Sequence, residues 1–84
     1  MKITVHTVDW LAHHLPGNPP GHEAQVEVAE GATAEDVIAQ LDLPSDYHYL
    51  VEINGTPLPH GEHRTRTLQA GQVLKILPEP KIAR

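Results

Sequence analysis

Cysteine and phenylalanine are both missing from this 84-residue chain. Without cysteine there is no disulfide and no thiolate to hold a metal or attack a substrate, and cytosolic residence is the default expectation. With no Phe, one Trp and two Tyr, the core must be built from aliphatic side chains. Basic residues are few. Six Lys and Arg stand against eleven Asp and Glu, a formal net charge of -5 with His neutral. That balance argues against nucleic acid and favours a protein partner with a basic docking surface. No apolar run is long enough to span a bilayer and no signal peptide is visible, so no membrane role is expected. The length suits one domain with a single modest core.

The clearest periodic stretch is Glu30–Leu41. Ala34, Val37, Ile38 and Leu41 recur at i, i+3, i+4 and i+7, one face of a helix. Thr33 is placed to cap the first turn, with Asp36 answering it as a capping box. Glu35 and Asp36 lie at the positive end of the helix dipole. Leu43-Pro44 is expected to stop the helix. No other segment has this period, so the remainder is expected to form a sheet under one helix.

Residues 2–8 alternate with period two, Ile3 and Val5 facing the core and Lys2, Thr4 and His6 facing away. Trp10–Leu15 suits one helical turn, and Pro16–Gly21 is a loop. Ala24–Ala29 is a second strand with Val26 and Val28 on one side, expected to pair antiparallel with the first. Tyr47–Ile53 is a third strand, ended by the Asn54-Gly55 turn because both residues tolerate positive φ. Thr56–Pro59 suits only a short edge strand, since proline has no ladder donor. Residues 60–67 are a polar loop followed by one apolar anchor, Leu68. Ala70-Gly71 is a turn and Gln72–Leu77 the last strand. The expected fold is α+β: a mixed sheet of four to five strands on one main helix, with the first and last strands at its centre, the ubiquitin-like β-grasp arrangement. The domain is drawn at 1–78, with 79–84 a flexible C-terminal tail.

With these residues in place, the chain resembles the small sulfur carriers of the MoaD/ThiS family over nearly all of its length. The resemblance is carried by Val26-Glu27-Val28 before Glu30-Gly31-Ala32-Thr33, then Val37–Leu41, Val51–Gly55 and Leu68–Leu74. It implies a carrier without catalytic residues of its own. In the family an E1-like enzyme adenylates a C-terminal Gly-Gly carboxylate, a donor converts it to a thiocarboxylate, and the sulfur passes to a molybdopterin or tungstopterin precursor or to the thiazole of thiamine. Two glycines suit a tail that threads a narrow passage. Here Ile82, Ala83 and Arg84 stand in their place, and the last glycine is Gly71. The expectation is a protein-interaction module tied to that chemistry and not itself an enzyme, its partner an E1-like adenylating enzyme or a larger catalytic subunit. The alternatives are an atypical carrier activated at its C-terminus and a small regulatory subunit of an unrelated enzyme.

If Val51, Ile53, Leu74 and Ile76 face the helix, then Leu50, Val73 and Leu77 lie on the other sheet face. Lys75, Lys2, Thr4, His6 and Glu52 surround them. An apolar patch with a polar rim suits protein docking, and the resemblance implies docking through this face. The seven histidines read as solvated polar residues, with no metal and no cofactor expected. His60 and His63, on a non-helical stretch, are not assigned a shared face. Asp42, Asp46, Glu52 and Glu62 lack any pairing in sequence and read as acidic surface, and Arg64 and Arg66 as loop charges.

Overall fold

The computed structural model describes residues 1–8, 11, 14, 15, 17, 21–44 and 47–80. Five strands, β1 (Lys2–His6), β2 (Glu23–Glu27), β3 (Tyr47–Ile53), β4 (Thr56–Leu58) and β5 (Val73–Pro80), form one sheet in the order β2-β1-β5-β3-β4. β1 and β5 run parallel at its centre, and every other pair is antiparallel. One helix, α1 (Ala34–Gln40), packs on one face. This is the β-grasp arrangement expected from the order of elements.

Local chemistry sets the helix ends. The Thr33 hydroxyl accepts from the Asp36 N–H at 3.3 Å, and the Asp36 carboxylate accepts from the Thr33 N–H at 2.9 Å, a complete capping box. At the other end Asp42 adopts a left-handed conformation, φ 55°. The Asp42 and Leu43 N–H groups turn back to the Ala39 and Ile38 carbonyls at 3.1 and 3.3 Å, a Schellman closure. The helix is therefore stopped at Asp42, before Pro44.

Ala34, Val37 and Leu41 are buried against Ile3, Val5, Leu74 and Ile76 in a core that is aliphatic apart from Tyr49. Leu11 and Leu15 join that core from the connection where a helical turn was expected. Trp10 and most of the 16–21 loop lie outside the described residues, as does Asp46. β2 is shifted by one or two residues from its expected span, ending at Glu27. Val28 nevertheless stays inward, and its N–H donates to the Met1 carbonyl at 2.8 Å. Asn54 (φ 50°) and Gly55 (φ 85°) make the turn into β4.

One boundary needs correction. β5 was expected to end at Leu77 and the domain at 78. Instead the ladder continues, with Pro78 opposite Tyr49, Glu79 opposite His48 and Pro80 opposite Tyr47. Parity explains why two prolines fit. The Asn54 N–H donates to the Val73 carbonyl at 2.9 Å, so odd positions of β5 bond to β3. Positions 78 and 80 turn their nitrogens the other way, where pairing with β1 has ended at the His6–Lys75 pair, and no ladder donor is missed. Of the residues drawn as a tail, 79 and 80 thus belong to the sheet. Ile82, Ala83 and Arg84 lie outside the described residues.

Thr33→Ala removes one half of the capping box and lowers stability by about 1 kcal/mol. Asp42→Gly relieves a left-handed non-glycine residue and raises it, by up to about 1 kcal/mol. Urea midpoints with an unchanged m-value would show the two opposite shifts.

Candidate functional site: the open sheet face and the cleft beside the helix

Strand alternation gives the sheet two chemically different faces. Towards α1 point Ile3 and Val5, Val26, Tyr49 and Val51, and Leu74 and Ile76, all buried. The other face carries the residues between them. Among the described residues Leu50 and Val73 are the large hydrophobic side chains left exposed, at 40% and 38%. Leu50 stands opposite Leu77, and Val73 is beside Thr4. Lys75 is half-buried, between Glu52 of β3 and His6 of β1. The four residues singled out in the sequence, Leu50, Val73, Lys75 and Leu77, thus share one face.

The cross-strand register adds a detail that strand-by-strand reading misses. Glu23, His6, Lys75 and Glu52 form one continuous row across β2, β1, β5 and β3. The row separates the Leu50–Leu77 pair from Val73 and has an acid at each end, Glu23 beside His6 and Glu52 beside Lys75. Lys2 is similarly opposite Glu27, which also pairs with the N-terminal amine at 3.6 Å. The apolar patch is therefore two small patches divided by a polar seam.

On the helix side, a cleft of about 620 Å³ opens between α1, β3 and the segment after β4. Its apolar wall is Ile38, Leu43, Pro44 and Tyr49, whose hydroxyl donates to the Pro44 carbonyl. Its polar wall includes Glu35, Asp42, His48, His60, His63 and Arg64. Residues 60–62 form a short 3-10 turn, which has three residues per turn and so brings residues i and i+3 together. The His60 and His63 rings accordingly meet, centroids 5.0 Å apart and tilted by 36°. The stretch expected to be non-helical is thus a helical turn, and the two histidines, left unassigned to a shared face by the sequence, meet. The missing signal was the helical turn itself, which Pro59-His60-Gly61-Glu62 conceals.

His63 is the perturbed group here. Burial lowers its pKa below the ordinary imidazole value, and the neighbouring His60 adds to the lowering. A hydrogen bond to the Leu58 backbone and the Glu35 carboxylate pull the other way and lose. Its Nε2 is buried without a hydrogen-bond partner among the described residues. Arg64 pairs with Glu35 at 3.2 Å and Arg66 with Glu62 at 3.4 Å, all at exposed positions where such pairs contribute little. His48, His60 and Glu79 line a smaller hollow. Among the described residues no three His, Asp or Glu side chains are placed to hold a metal ion, and no helix is long and apolar enough to cross a membrane.

A small mixed sheet with its centre closed by parallel first and last strands, one face under a helix and one face open, defines a ubiquitin-like β-grasp domain. The family follows from a direct match: residues 13–79 fit the model of the ThiS family, and the chain belongs to it. Solved structures agree. A thiamine biosynthesis protein, ThiS, from Geobacter metallireducens superposes with a TM-score of 0.63 at 19% identity, covering 99% of this chain and 100% of that one. A putative molybdopterin converting factor, subunit 1, from Pyrococcus furiosus gives 0.64 at 18%, covering 94% and 98%. SAMP1 from Haloferax volcanii gives 0.64 at 16%, covering 99% and 100%. At these identities the likeness establishes the fold. No curated protein matches the sequence.

Leu50→Ser and Val73→Ser, on the open face, should each change stability by less than about 0.5 kcal/mol. Val51→Ser, one residue along the strand but buried, should cost several times more. Chemical denaturation of the three variants separates the two faces. A second outcome concerns pH. His63 binds its proton less readily folded than unfolded, so the unfolded chain carries more protons as pH falls. Its contribution therefore lowers stability from about pH 6.5 downwards, and levels off once the folded imidazole is also protonated. Subtracting the stability-against-pH curve of His63→Gln from that of the wild type should leave this slope.

Proposed function

We propose that this ThiS-family domain is a cytosolic protein-interaction module, not an enzyme, that serves sulfur-carrier or molybdenum/tungsten-cofactor chemistry without loading sulfur on a Gly-Gly terminus. The observation that carries the reading is the open sheet face. Leu50, Val73 and Leu77 lie there away from the helix, flanked by Lys2, Lys75, His6 and Glu52. Exposed apolar groups inside a polar rim suit a protein partner. The partner is an E1-like adenylating enzyme or a larger catalytic subunit, and the acidic balance of the chain favours basic groups on it. The names of the structural relatives, a thiamine biosynthesis protein and a molybdopterin converting factor subunit, support a place beside such enzymes.

The sequence supports the second half of the reading. No two glycines are adjacent anywhere in the 84 residues, and residues 82–84 are Ile-Ala-Arg. The remaining alternative is a carrier activated at an atypical terminus, and one experiment separates the two. The protein is taken from its native cells and its intact mass measured, beside a variant with Ile82→Gly and Ala83→Gly and without Arg84. The expected result is no oxygen-for-sulfur exchange on the native protein. Exchange at its terminus would overturn the reading in favour of the carrier. Binding of the native chain to the adenylating enzyme of the same cells should weaken at least about tenfold, or about 1.4 kcal/mol, in Leu50→Asp. Unchanged affinity in a folded Leu50→Asp would remove the open face as the docking surface.

A further inference from the structure

We propose that His60 and His63 form a proton-sensitive latch that fastens the segment after β4 onto the start of α1. His63 is the pivot of that contact. Its carbonyl accepts the Glu35 N–H at 2.8 Å, one of the donors that a helix leaves free in its first turn. Its ring is held by the Leu58 backbone and stands against His60, with Nε2 buried and unpartnered among the described residues. Little else holds the segment down. Residues 59–61 and 64–67 are exposed, and Leu68 is the first buried side chain after Leu58. Among the described residues the other ties are the Leu68 N–H to the Ala32 carbonyl at 2.7 Å, a bridge between Thr33 and Thr67, and the exposed Arg64–Glu35 pair. A segment with so few buried apolar contacts opens locally at low cost.

Protonation attacks the pivot directly. A proton on Nε2 creates a donor with no acceptor and places a cation in a partly desolvated site. The groups around it are His60 on the 3-10 turn, Glu35 on α1, Asp42 just beyond α1, His48 on β3 and Arg64 next in the chain; β4 contributes only the Leu58 backbone. Glu35 attracts the new charge but is already shared with Arg64. Burial and His60 oppose it, and the lowered affinity of His63 for a proton reports that the opposition prevails. Acid therefore lifts the segment, frees the Glu35 N–H and the Ala32 carbonyl, and widens the cleft beside α1. The device lies on the helix side of the sheet and operates whether or not the open face docks a partner.

Hydrogen exchange by NMR tests the latch in the intact protein. Protection factors of the Glu35 and Leu68 amides are compared at about pH 7.5 and about pH 5.5, either side of the free imidazole value. The Thr4 amide, bonded to the Gln72 carbonyl at the sheet centre, is the reference. Glu35 and Leu68 should lose protection about tenfold relative to Thr4. His63→Gln should abolish that loss and His60→Gln should shrink it. The same loss in His63→Gln, or Glu35 and Leu68 changing only in step with Thr4, would overturn the proposal. So would a ring titration of wild-type His63 at or above the ordinary imidazole value, a readout that needs no variant to fold.

Discussion

The parallel pairing of β1 with β5 is the contact on which the other elements depend. Thr4, Val5 and His6 lie beside Val73, Leu74 and Lys75, joining stretches separated by most of the chain. The closure of so long a loop carries an entropy cost that local structure cannot offset. The inward side chains of the two strands repay it. Val5, Leu74 and Ile76 are fully buried, and the Thr7 hydroxyl donates to the Ile76 carbonyl at 2.8 Å just beyond the last paired residues. β2 then adds to the outer edge of β1, β3 and β4 to the outer edge of β5, and α1 crosses the face they share. A fold closed by its first and last strands forms few of its central contacts early, which favours slow and cooperative folding.

That central pair also creates the outward surface. Between Leu74 and Ile76 the strand must expose Lys75, and its neighbours in register, His6 and Glu52, complete a polar row with Glu23. The apolar groups on either side of the row are displayed by the same alternation that buries the core. Core and open face are two readings of one periodicity. Membership of the ThiS family and likeness to three solved folds at under a fifth identity describe the scaffold. Function resides in what is mounted on it.

Much of this was legible in the residues. The i, i+3, i+4, i+7 pattern of Ala34, Val37, Ile38 and Leu41 marked the helix, and Thr33 with Asp36 marked its start. Tyr47–Ile53 and the Asn54-Gly55 turn fell at the expected positions. The failures share a cause. β5 runs past Leu77, where it was expected to end, through Pro78 and Pro80, because a proline's effect depends on which side its nitrogen faces, and that depends on neighbours remote in sequence. Asp42 stopped the helix two residues before the proline expected to do so, since left-handed conformations are open to Asp but not signalled by it. His60 and His63 met because a 3-10 turn formed under Pro59, and a single turn has no periodicity to reveal it.

By itself the sequence determined what depends on neighbours within a few residues: the helix and its cap, the alternation of each strand, the hairpin turn, the aliphatic character of the core and the acidic balance. Those follow from side-chain spacing and backbone preference, which are local. The tertiary structure decided what depends on two segments meeting. It set the length of β5, the polar row that divides the open face, the cleft beside the helix and the desolvation of His63. Register, burial and electrostatic environment arise between parts of the chain that sequence keeps far apart, and only the closed sheet brings them within reach of one another.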